Sequence, residues 1–502
     1  MEKKKVLFAT SEAAPFVTSG GLGQVAGALA ATLSGDYEDL DVRIVLPLYA
    51  PVRRKYFSDM KLVAETKTAL SWRDNYCGIY ETQYDGITYY FVDNLQYFGR
   101  DRAYGYYDDG ERFAWFCKAV FSVIEETGFI PDVIHSHDWQ TALVPIYLKT
   151  RFNNLYPNLR SVFTIHNIEY QGQFAKETLY DVFDLKEYER GLVDYHQCVN
   201  LMKGAIVTCD KLTTVSPTYA RDITEYGGHW LESIIRENSY KLSGIINGID
   251  MKLYDPASDP SIFTNFSSFS PVEMLAGKAE NKRRLQALFG LPPDSGKLLL
   301  CVVSRLVSHK GMDLLTVIAD DLVGLGAQLL ILGTGDHNYE LFFSELALRH
   351  PASVAVNIAY NPELAAKIYA GSDAMLMPSK SEPCGLAQMV AARYGTVPIV
   401  RATGGLKDTI KDCRAGSGNG FSFVHYNAGE LLYTIRKAHD LYMYHPDDWT
   451  ALMREAMETD FSWDASAAEY ANLYRGLADS VPAPIPAEAA SEAAAEAETV
   501  AE

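Results

Sequence analysis

The amino-acid sequence predicts an α/β fold made of two doubly wound domains that face a cleft. The chain has 502 residues, which is too many for one hydrophobic core. In each half, short apolar or β-branched runs alternate with helical patterns, as is typical of a parallel sheet covered by helices on both faces. Because this alternation occurs in two separate series, we expect two parallel sheets.

The first half contains five predicted strands, with helices between several of them. The strand candidates are KVLFAT, VRIVLPLY, ITYYFVD, DVIHSH and SVFTIHN, and the helical candidates include ERFAWFCKAVFSVIEETG and TALVPIYLKTRF. In the second half the strand candidates are KLLLCVVSRL, AQLLILGTG, VAVNIAY, AMLMPS and VPIVRAT, with helical patterns between them. Gly, Asn, Asp and Pro crowd together at residues 244–256, so we predict a joint there and domains at residues 1–245 and 246–455.

Composition narrows the classes of function. A formal net charge of −19 disfavours binding to nucleic acid or to an anionic membrane. No stretch approaches the ~20 apolar residues of a membrane span, and the short apolar run near the start predicts a buried first strand rather than a signal peptide. The seven Cys form no C-x-x-C pair, which indicates reduced thiols and a cytoplasmic protein. Residues 478–502, rich in Ala and Glu without an apolar stripe, are predicted to be a disordered acidic tail.

Two similar glycine turns lie one in each half. Residues 19–22 are Ser-Gly-Gly-Leu and residues 403–406 are Thr-Gly-Gly-Leu, and each turn follows a strand and opens a helix. Glycine lets a backbone approach a ligand closely, and helix N-termini at this edge of a sheet offer free amides. We therefore expect a cleft with a glycine-lined lip on each side. Gly21-x-Gly23-x-x-Ala26 also fits a dinucleotide pattern, but it follows its strand too late, so a nicotinamide-dependent oxidoreductase is the weaker alternative.

Polar side chains follow several predicted strands at their carboxyl ends. Arg305 and Lys310 come after one strand, and Glu382 lies between a strand and a helix. A guanidinium and an ammonium suit a pyrophosphate, whose leaving oxygen gains negative charge, and a carboxylate can accept hydrogen bonds from sugar hydroxyls. Residues 135–138, His-Ser-His-Asp, resemble a metal site, but no further cluster completes a ligand set, so we expect no metal. The Asp-Leu-Asp sequence at residues 39–41 is expected to be solvated surface.

Together these segments resemble the family of bacterial glycogen synthases and plant starch synthases. The matching segments, in the family's order between about residues 4 and 477, are VLFATSEAAPFVTSGGLGQVAGAL, HSHDWQTAL, FTIHNIEYQG, INGID, SRLVSHKGMDLL, PSKSEPCGLAQM and TGGLKDT. The resemblance implies the GT-B fold, in which two Rossmann-like domains face a cleft and a C-terminal helix, here within residues 456–477, crosses back to the first domain. It also implies transfer of glucose from ADP-glucose to the 4-hydroxyl end of an α-1,4-glucan, with retention and without a metal or other cofactor.

The resemblance assigns site residues in this chain. Its catalytic set is Arg305, Lys310, Glu382, His166 and Asp138. The two cations would hold the diphosphate, Glu382 would bind the donor glucose, and the other two would line the sugar site with Asn167. Contacts with sugar or phosphate, mostly through the backbone, are expected from Thr18, Ser19, Gly20, Gly21, Cys384, Gly385, Leu386, Thr403, Gly404 and Gly405.

Three positions depart from the family's pattern. Thr18 stands where the family often has a lysine, so one phosphate cation is absent, and Gln24 stands where an aspartate is usual. Val390 stands where related retaining families place a second glutamate. These differences leave open a synthase that prefers UDP-glucose and a glucan-binding homologue with weak or lost catalysis. The oligomeric state is not indicated by the sequence.

Overall fold

The computed structural model describes residues 3–480, and its first half forms one large sheet with covering helices and a separate small sheet of three short strands. The first-half strands are β1 (Lys4–Ala9), β2 (Leu40–Pro47), β3 (Lys61–Leu70), β4 (Arg73–Tyr84), β5 (Ile87–Asp93), β6 (Val133–His137), β7 (Arg160–Ile165), β8 (Gln173–Phe174), β9 (Asp194–Tyr195), β10 (Cys198–Asn200), β11 (Lys211–Thr214) and β12 (Leu242–Gly244). The helices are α1 (Gly21–Asp36), α2 (Ala50–Tyr56), α3 (Leu95–Phe98), α4 (Asp109–Thr127), α5 (Leu143–Tyr147), α6 (Thr178–Asp181), α7 (Arg190–Val193), α8 (Leu201–Thr208), α9 (Pro217–Glu225) and α10 (Glu232–Glu237).

The second half forms another sheet. Its strands are β13 (Leu299–Val303), β14 (Gln328–Leu332), β15 (Val354–Asn357), β16 (Ala374–Met377), β17 (Val397–Arg401) and β18 (Phe421–Phe423). Its helices, with those that end the described chain, are α11 (Pro271–Leu288), α12 (Met312–Gly324), α13 (His337–Arg349), α14 (Pro362–Gly371), α15 (Ala387–Arg393), α16 (Gly404–Thr409), α17 (Ala428–Tyr444), α18 (Pro446–Glu458) and α19 (Asp464–Asp479).

The strand orders confirm the predicted fold class. The first sheet has the order β12-β11-β7-β6-β1-β2-β5-β4-β3, in which neighbours from β12 to β5 are parallel. The second sheet has the order β15-β14-β13-β16-β17-β18 and is parallel throughout. Because ligands of such sheets bind beyond the carboxyl ends of the strands, a ligand site is expected at the loops after β1, β6, β7, β13, β16 and β17.

The strand patterns missed an antiparallel hairpin at one edge of the first sheet. β3 pairs with β4, and β4 pairs with β5, both antiparallel. The side chains of β3 are mostly exposed or half-buried, as expected of an edge strand, so they lack the apolar run of a buried strand. In the Asp-Leu-Asp sequence at residues 39–41, Asp41 lies in β2 rather than in a loop. Asp39 forms a bidentate ion pair with Arg475, which donates to both of its carboxylate oxygens.

The last helix returns to the first domain, as the resemblance predicted. α19 packs against α1, β1 and β6, and Tyr470 and Tyr474 are buried there. The chain crosses between the halves twice, and the two crossings lie side by side. The Ile249 amide donates to the Phe461 carbonyl (2.8 Å), and Ser466 Oγ donates to the Ile246 carbonyl (2.5 Å).

The predicted domain bounds stay a prediction, and most of the predicted acidic tail, residues 481–502, lies outside the described residues. Over residues 3–480, every helix is too short or too polar to cross a membrane.

A buried lysine joins three segments of the second domain. Lys278 in α11 donates from Nζ to the carbonyls of Ser372 (2.7 Å) and Tyr394 (3.1 Å) and to Thr396 Oγ1 (3.0 Å). Burial lowers the pKa of Lys278 to about 7, against the opposing charge of Asp373. The hydrogen bonds keep the ends of α14 and α15 in place beneath β16 and β17.

We expect Lys278→Met to lower the free energy of unfolding by roughly 3 kcal/mol, because the buried acceptors lose their donor. Urea denaturation measures this loss. Arg283→Met is the matched control, since Arg283 lies on the same helix, is exposed and pairs only with the nearby Glu280 among the described contacts. Equal stability of the two variants would contradict the role given to Lys278.

Candidate functional site

The first glycine turn lies next to a loop of the second domain. Thr18, Ser19, Gly20 and Gly21 are all exposed at the start of α1. A Cβ added at Gly21 would lie 3.9 Å from Cδ1 of Leu386, which belongs to the second domain. The segments predicted to contact one donor molecule are therefore brought together.

A buried carboxylate stabilises the backbone of the first glycine turn. Glu12 accepts a hydrogen bond from the Ser19 amide (2.5 Å) and another from the Tyr104 hydroxyl (2.6 Å). Gly23 packs tightly against this support, since a Cβ there would lie 2.6 Å from the Val17 carbonyl oxygen. Gly20 differs, because a Cβ there would have no heavy atom within 4 Å. Gly20 therefore leaves open space next to the helix N-terminus.

The second turn is packed against the loop that carries Glu382. Gly404 has φ +45°, and a Cβ there would overlap the Glu382 carbonyl oxygen. The Gly405 amide donates to the same carbonyl (3.1 Å), and Thr403, which precedes α16, is buried. Unlike Gly20, Gly404 and Gly405 are required by packing inside the protein.

Lys310 and Glu382 form an ion pair at the cleft. Lys310 Nζ donates to both carboxylate oxygens of Glu382, at 2.8 and 2.6 Å, and Ser379 Oγ donates to one of them at 2.9 Å. Gly311 (φ +81°) lets the Lys310 turn pack against Pro378, because a Cβ there would overlap the Pro378 carbonyl oxygen. The ends of β13 and β16 are thus fixed to each other, and this places the cation beside the carboxylate.

Arg305 is exposed beside this pair. Its guanidinium contacts the imidazole of His309 (3.3 Å). Burial, together with the charges of Lys310 and Arg305, lowers the pKa of His309. A neutral His309 can accept from Arg305 and hold the guanidinium near the lysine.

The predicted residues Cys384, Gly385 and Leu386 follow Glu382 on the same loop. Cys384 is buried, and burial raises the pKa of its thiol to about 12. Gly385 has φ +72°, and Leu386 is half-buried opposite the first turn.

Three neutral histidines lie next to one another at the carboxyl ends of β6 and β7 in the first domain. His137 Nδ1 and His166 Nε2 share a hydrogen bond (3.0 Å), while His135 contacts Tyr474 (2.7 Å) and Thr164 (2.5 Å). Burial lowers the pKa of His166 to about 3 and holds the pKa values of the other two well below their usual range. Over residues 3–480, no group of three or more His, Cys, Asp and Glu has a geometry suited to a metal ion.

Asp138 sits in a strained conformation at the end of β6. Its φ is +56°, which is uncommon outside glycine, and its Oδ1 accepts from the amides of His166 (2.8 Å) and Asn167 (3.3 Å). Burial raises the pKa of Asp138 to about 7, against these two hydrogen bonds. Asp138, His166 and Asn167 therefore form one connected cluster.

Direct contacts join the two halves beside the site. Thr218 donates to Asp408 from its amide (2.8 Å) and its hydroxyl (2.6 Å), and Ser216 Oγ donates to the Pro383 carbonyl (2.7 Å). The Gly404 amide donates to Asp222 (3.1 Å). Helix α9 of the first domain therefore lies against the second glycine turn, next to Glu382.

Comparisons with known proteins identify the family. The family model described as "Starch synthase catalytic domain" matches residues 5–237, and that described as "Glycosyl transferases group 1" matches residues 285–449. The glycogen synthase of Geobacillus thermodenitrificans (strain NG80-2) is 45% identical over 480 residues, which cover 94% of this chain and 98% of that protein. The chain belongs to the glycogen and starch synthase family. The resemblance predicted from the motifs is confirmed, and the protein is a glycosyltransferase.

Further family members support this assignment. The glycogen synthase of Bacillus cereus (strain B4264) is 45% identical over 481 residues, covering 94% of this chain and 100% of that protein. The catalytic domain of starch synthase IV from Arabidopsis thaliana, bound to ADP and acarbose, matches with a TM-score of 0.88 at 31% identity, covering 95% of this chain and 100% of that chain. Sucrose-phosphate synthase from Thermosynechococcus elongatus, at 18% identity and a TM-score of 0.61 with 95% and 100% coverage, shares the fold.

Several residues of the site were missed by sequence reasoning. Glu12, Ser379 and His309 each contact a predicted residue, and Tyr104 hydrogen-bonds to Glu12. His309 lies between Arg305 and Lys310 in the sequence, so its position could have indicated that it belongs to the site. Glu12 comes soon after a predicted strand, but nothing in its neighbours indicates that it turns inward under the glycines.

We expect Gly404→Ala and Gly20→Ala to behave differently. Gly404→Ala should lower the midpoint of thermal unfolding and abolish activity, because the new Cβ displaces the Glu382 backbone. Gly20 has extended backbone (φ −163°) and open space, so Gly20→Ala should leave the midpoint unchanged while raising the KM for a nucleotide-sugar donor severalfold. An unchanged donor KM in Gly20→Ala would contradict a ligand-facing role for that glycine.

The raised pKa of Asp138 makes a prediction about stability. Between about pH 4 and pH 7 the unfolded chain has released this proton and the folded protein keeps it, so stability falls as the pH rises. Asp138→Asn removes this effect. From pH 5 to pH 8 the free energy of unfolding of the wild type should therefore fall by about 2–3 kcal/mol more than that of the variant. Urea denaturation at the two pH values tests this, and equal pH dependence would contradict it.

Proposed function

We propose that this family member transfers glucose from ADP-glucose to the non-reducing 4-hydroxyl end of an α-1,4-glucan, with retention and without a metal. The observation that carries the proposal is the Lys310–Glu382 pair between two glycine turns, with Arg305 beside it. The named relatives support the reaction, and the ADP and acarbose bound to the Arabidopsis enzyme support the donor base and a sugar acceptor.

In the proposed mechanism the donor bond breaks to an oxocarbenium-like glucose, and the acceptor hydroxyl attacks from the same face. The leaving phosphate oxygen takes the proton of that hydroxyl. Arg305 and Lys310 stabilise the negative charge that develops on this oxygen, and Glu382 binds the donor glucose. The protein's contribution is then positioning and electrostatic stabilisation, with no carboxylate pair acting as in a hydrolase.

The acceptor side is proposed to lie in the first domain, residues 1–245, and the donor side in the second, residues 246–455, with residues 456–477 returning to the first. His166, Asn167 and Asp138 would hydrogen-bond sugar hydroxyls. The cysteines among residues 3–480 are all free thiols, which supports a reducing cytoplasmic setting.

Two alternatives have their own support in the chain. Thr18 removes a cation next to the first turn, which favours weaker catalysis or a different donor. Gln24 stands at the usual aspartate position, so a carboxylate is also absent from the first helix. A preference for UDP-glucose and a glucan-binding protein with lost catalysis are therefore the competing outcomes.

A diphosphate-release assay with glycogen and each nucleotide-glucose separates these outcomes. We expect ADP release from ADP-glucose that depends on glycogen. Faster release from UDP-glucose would favour the first alternative. Binding of glycogen without release of either diphosphate would favour the second.

We expect Lys310→Ala and Arg305→Ala each to lower kcat by ~10²–10³, the loss seen when one donor to a transition-state charge is removed. Lys437→Ala is the matched control, because Lys437 is an exposed lysine on α17. Steady-state ADP release measures all three variants. Near-normal turnover in both Lys310→Ala and Arg305→Ala would refute their roles.

A further inference from the structure

Two neighbouring loops of the first domain hold bulky residues in the left-handed backbone region. His196 (φ +45°) and Gln197 (φ +63°) form the turn between β9 and β10, and His229 (φ +48°) and Trp230 (φ +78°) lie just before α10. A positive φ at both central residues is the usual geometry of a two-residue turn between antiparallel strands, as at His196 and Gln197. At His229 and Trp230, which are not in such a turn, a positive φ is uncommon, and for a bulky side chain it is an outlier. Such strain persists only where contacts enforce it, and it clusters at ligand-binding sites.

Contacts between the loops enforce this conformation. The Tyr195 hydroxyl donates to the Trp230 carbonyl (2.7 Å) and shares a hydrogen bond with Ser233 Oγ (3.1 Å). The His196 ring packs edge-on against Tyr195, with ring centroids 4.3 Å apart, and its centroid lies 6.2 Å from that of Trp230. The three rings form one surface, the aromatic platform of Tyr195, His196 and Trp230, from which Trp230 is 76% exposed.

The aromatic platform is tied to the loop that carries His166 and Asn167. Gln171, buried on that same loop after β7, donates from Nε2 to the His229 carbonyl (2.9 Å). Its Oε1 accepts from Asn200 (2.7 Å) at the end of β10. Gln171 thus ties the loop of His229 and Trp230, and the end of β10, to the loop that carries His166 and Asn167.

The chemistry of the aromatic platform suits an uncharged sugar chain. Charged groups next to it are engaged with other partners, since Glu232 accepts from the Gly228 amide (3.0 Å) and Asp194 pairs with Lys176 (3.6 Å). The Lys203 ammonium, 6.0 Å from the Tyr195 ring centroid, donates to two backbone carbonyls. What remains is a set of flat apolar faces with hydrogen-bonding edges. A pyranose ring has an apolar C–H face and a polar rim, which match such a surface.

We propose that the aromatic platform binds the acceptor glucan beyond its reacting end, and so makes the enzyme favour longer chains. The proposal rests on the proposed function, which puts the reacting end at His166 and Asn167. Trp230 is a specificity-determining residue in this scheme, and Tyr195 positions it.

The test compares maltotriose with maltoheptaose as acceptors. In Trp230→Ala we expect the ratio of kcat/KM for maltoheptaose to that for maltotriose to fall about fivefold to tenfold, the value of one aromatic stacking contact. The effect should lie in KM rather than kcat. Trp72→Ala is the matched control, because Trp72 is also 76% exposed but lies at the turn between β3 and β4. An unchanged ratio in Trp230→Ala would overturn the proposal.

Binding without donor separates this proposal from the proposed function. Isothermal titration calorimetry should show that maltoheptaose binds Trp230→Ala about fivefold to tenfold more weakly than the wild type, whether or not the wild type transfers glucose. Trp230→Gly should bind as weakly while keeping or raising the midpoint of thermal unfolding, because glycine relieves the strain at φ +78°. Wild-type affinity in either variant would overturn the proposal even if the transfer reaction is confirmed.

Discussion

The ion pair between Lys310 and Glu382 is the interaction on which the geometry of the cleft depends. A half-buried pair is favourable only when its geometry is good and its remaining oxygens are hydrogen-bonded, and both conditions hold here. The backbone around the pair carries the rest of the donor side. Gly311 sets the lysine against Pro378, and the Glu382 carbonyl receives the second glycine turn. The side chain and the backbone carbonyl of Glu382 together therefore fix the ends of three strands relative to one another.

The two sides of the cleft differ in charge in the way that the two proposed substrates differ. The second domain presents an ammonium, a carboxylate and an exposed guanidinium, which suit an anionic nucleotide sugar. The first domain presents histidines whose pKa values are held low by burial, a carboxyl whose pKa is raised, and the exposed aromatic rings. Such groups hydrogen-bond or stack without strong fields, as an uncharged glucan requires. The chain has a net charge of −19, so the cations Lys310 and Arg305 favour an anionic ligand only in their immediate surroundings.

The alternation of strands and helices was enough to predict the central strands of both sheets, because buried parallel strands have continuous apolar sequences. The short strands β11, β12 and β18, which lie at or next to a sheet edge, were not among the predicted strands. The hairpin of β3 and β4 was missed because an edge strand has a polar, exposed pattern. The two glycine turns look alike in sequence, yet Gly20 faces open space and Gly404 packs against Glu382. That difference depends on a contact between distant segments. The exposure and left-handed backbone of Trp230 likewise depend on tertiary contacts.

The return of α19 to the first sheet has a consequence for biosynthesis. β1 leaves the ribosome long before the helix that covers it and supplies Tyr474 to His135. At about 5–20 residues per second, the ~220 residues between β12 and α19 take roughly ten to forty seconds to translate. During that interval the nascent first domain exposes an apolar face with nothing yet to cover it. A fragment ending near residue 245 would lack α19 and would leave that apolar face permanently exposed.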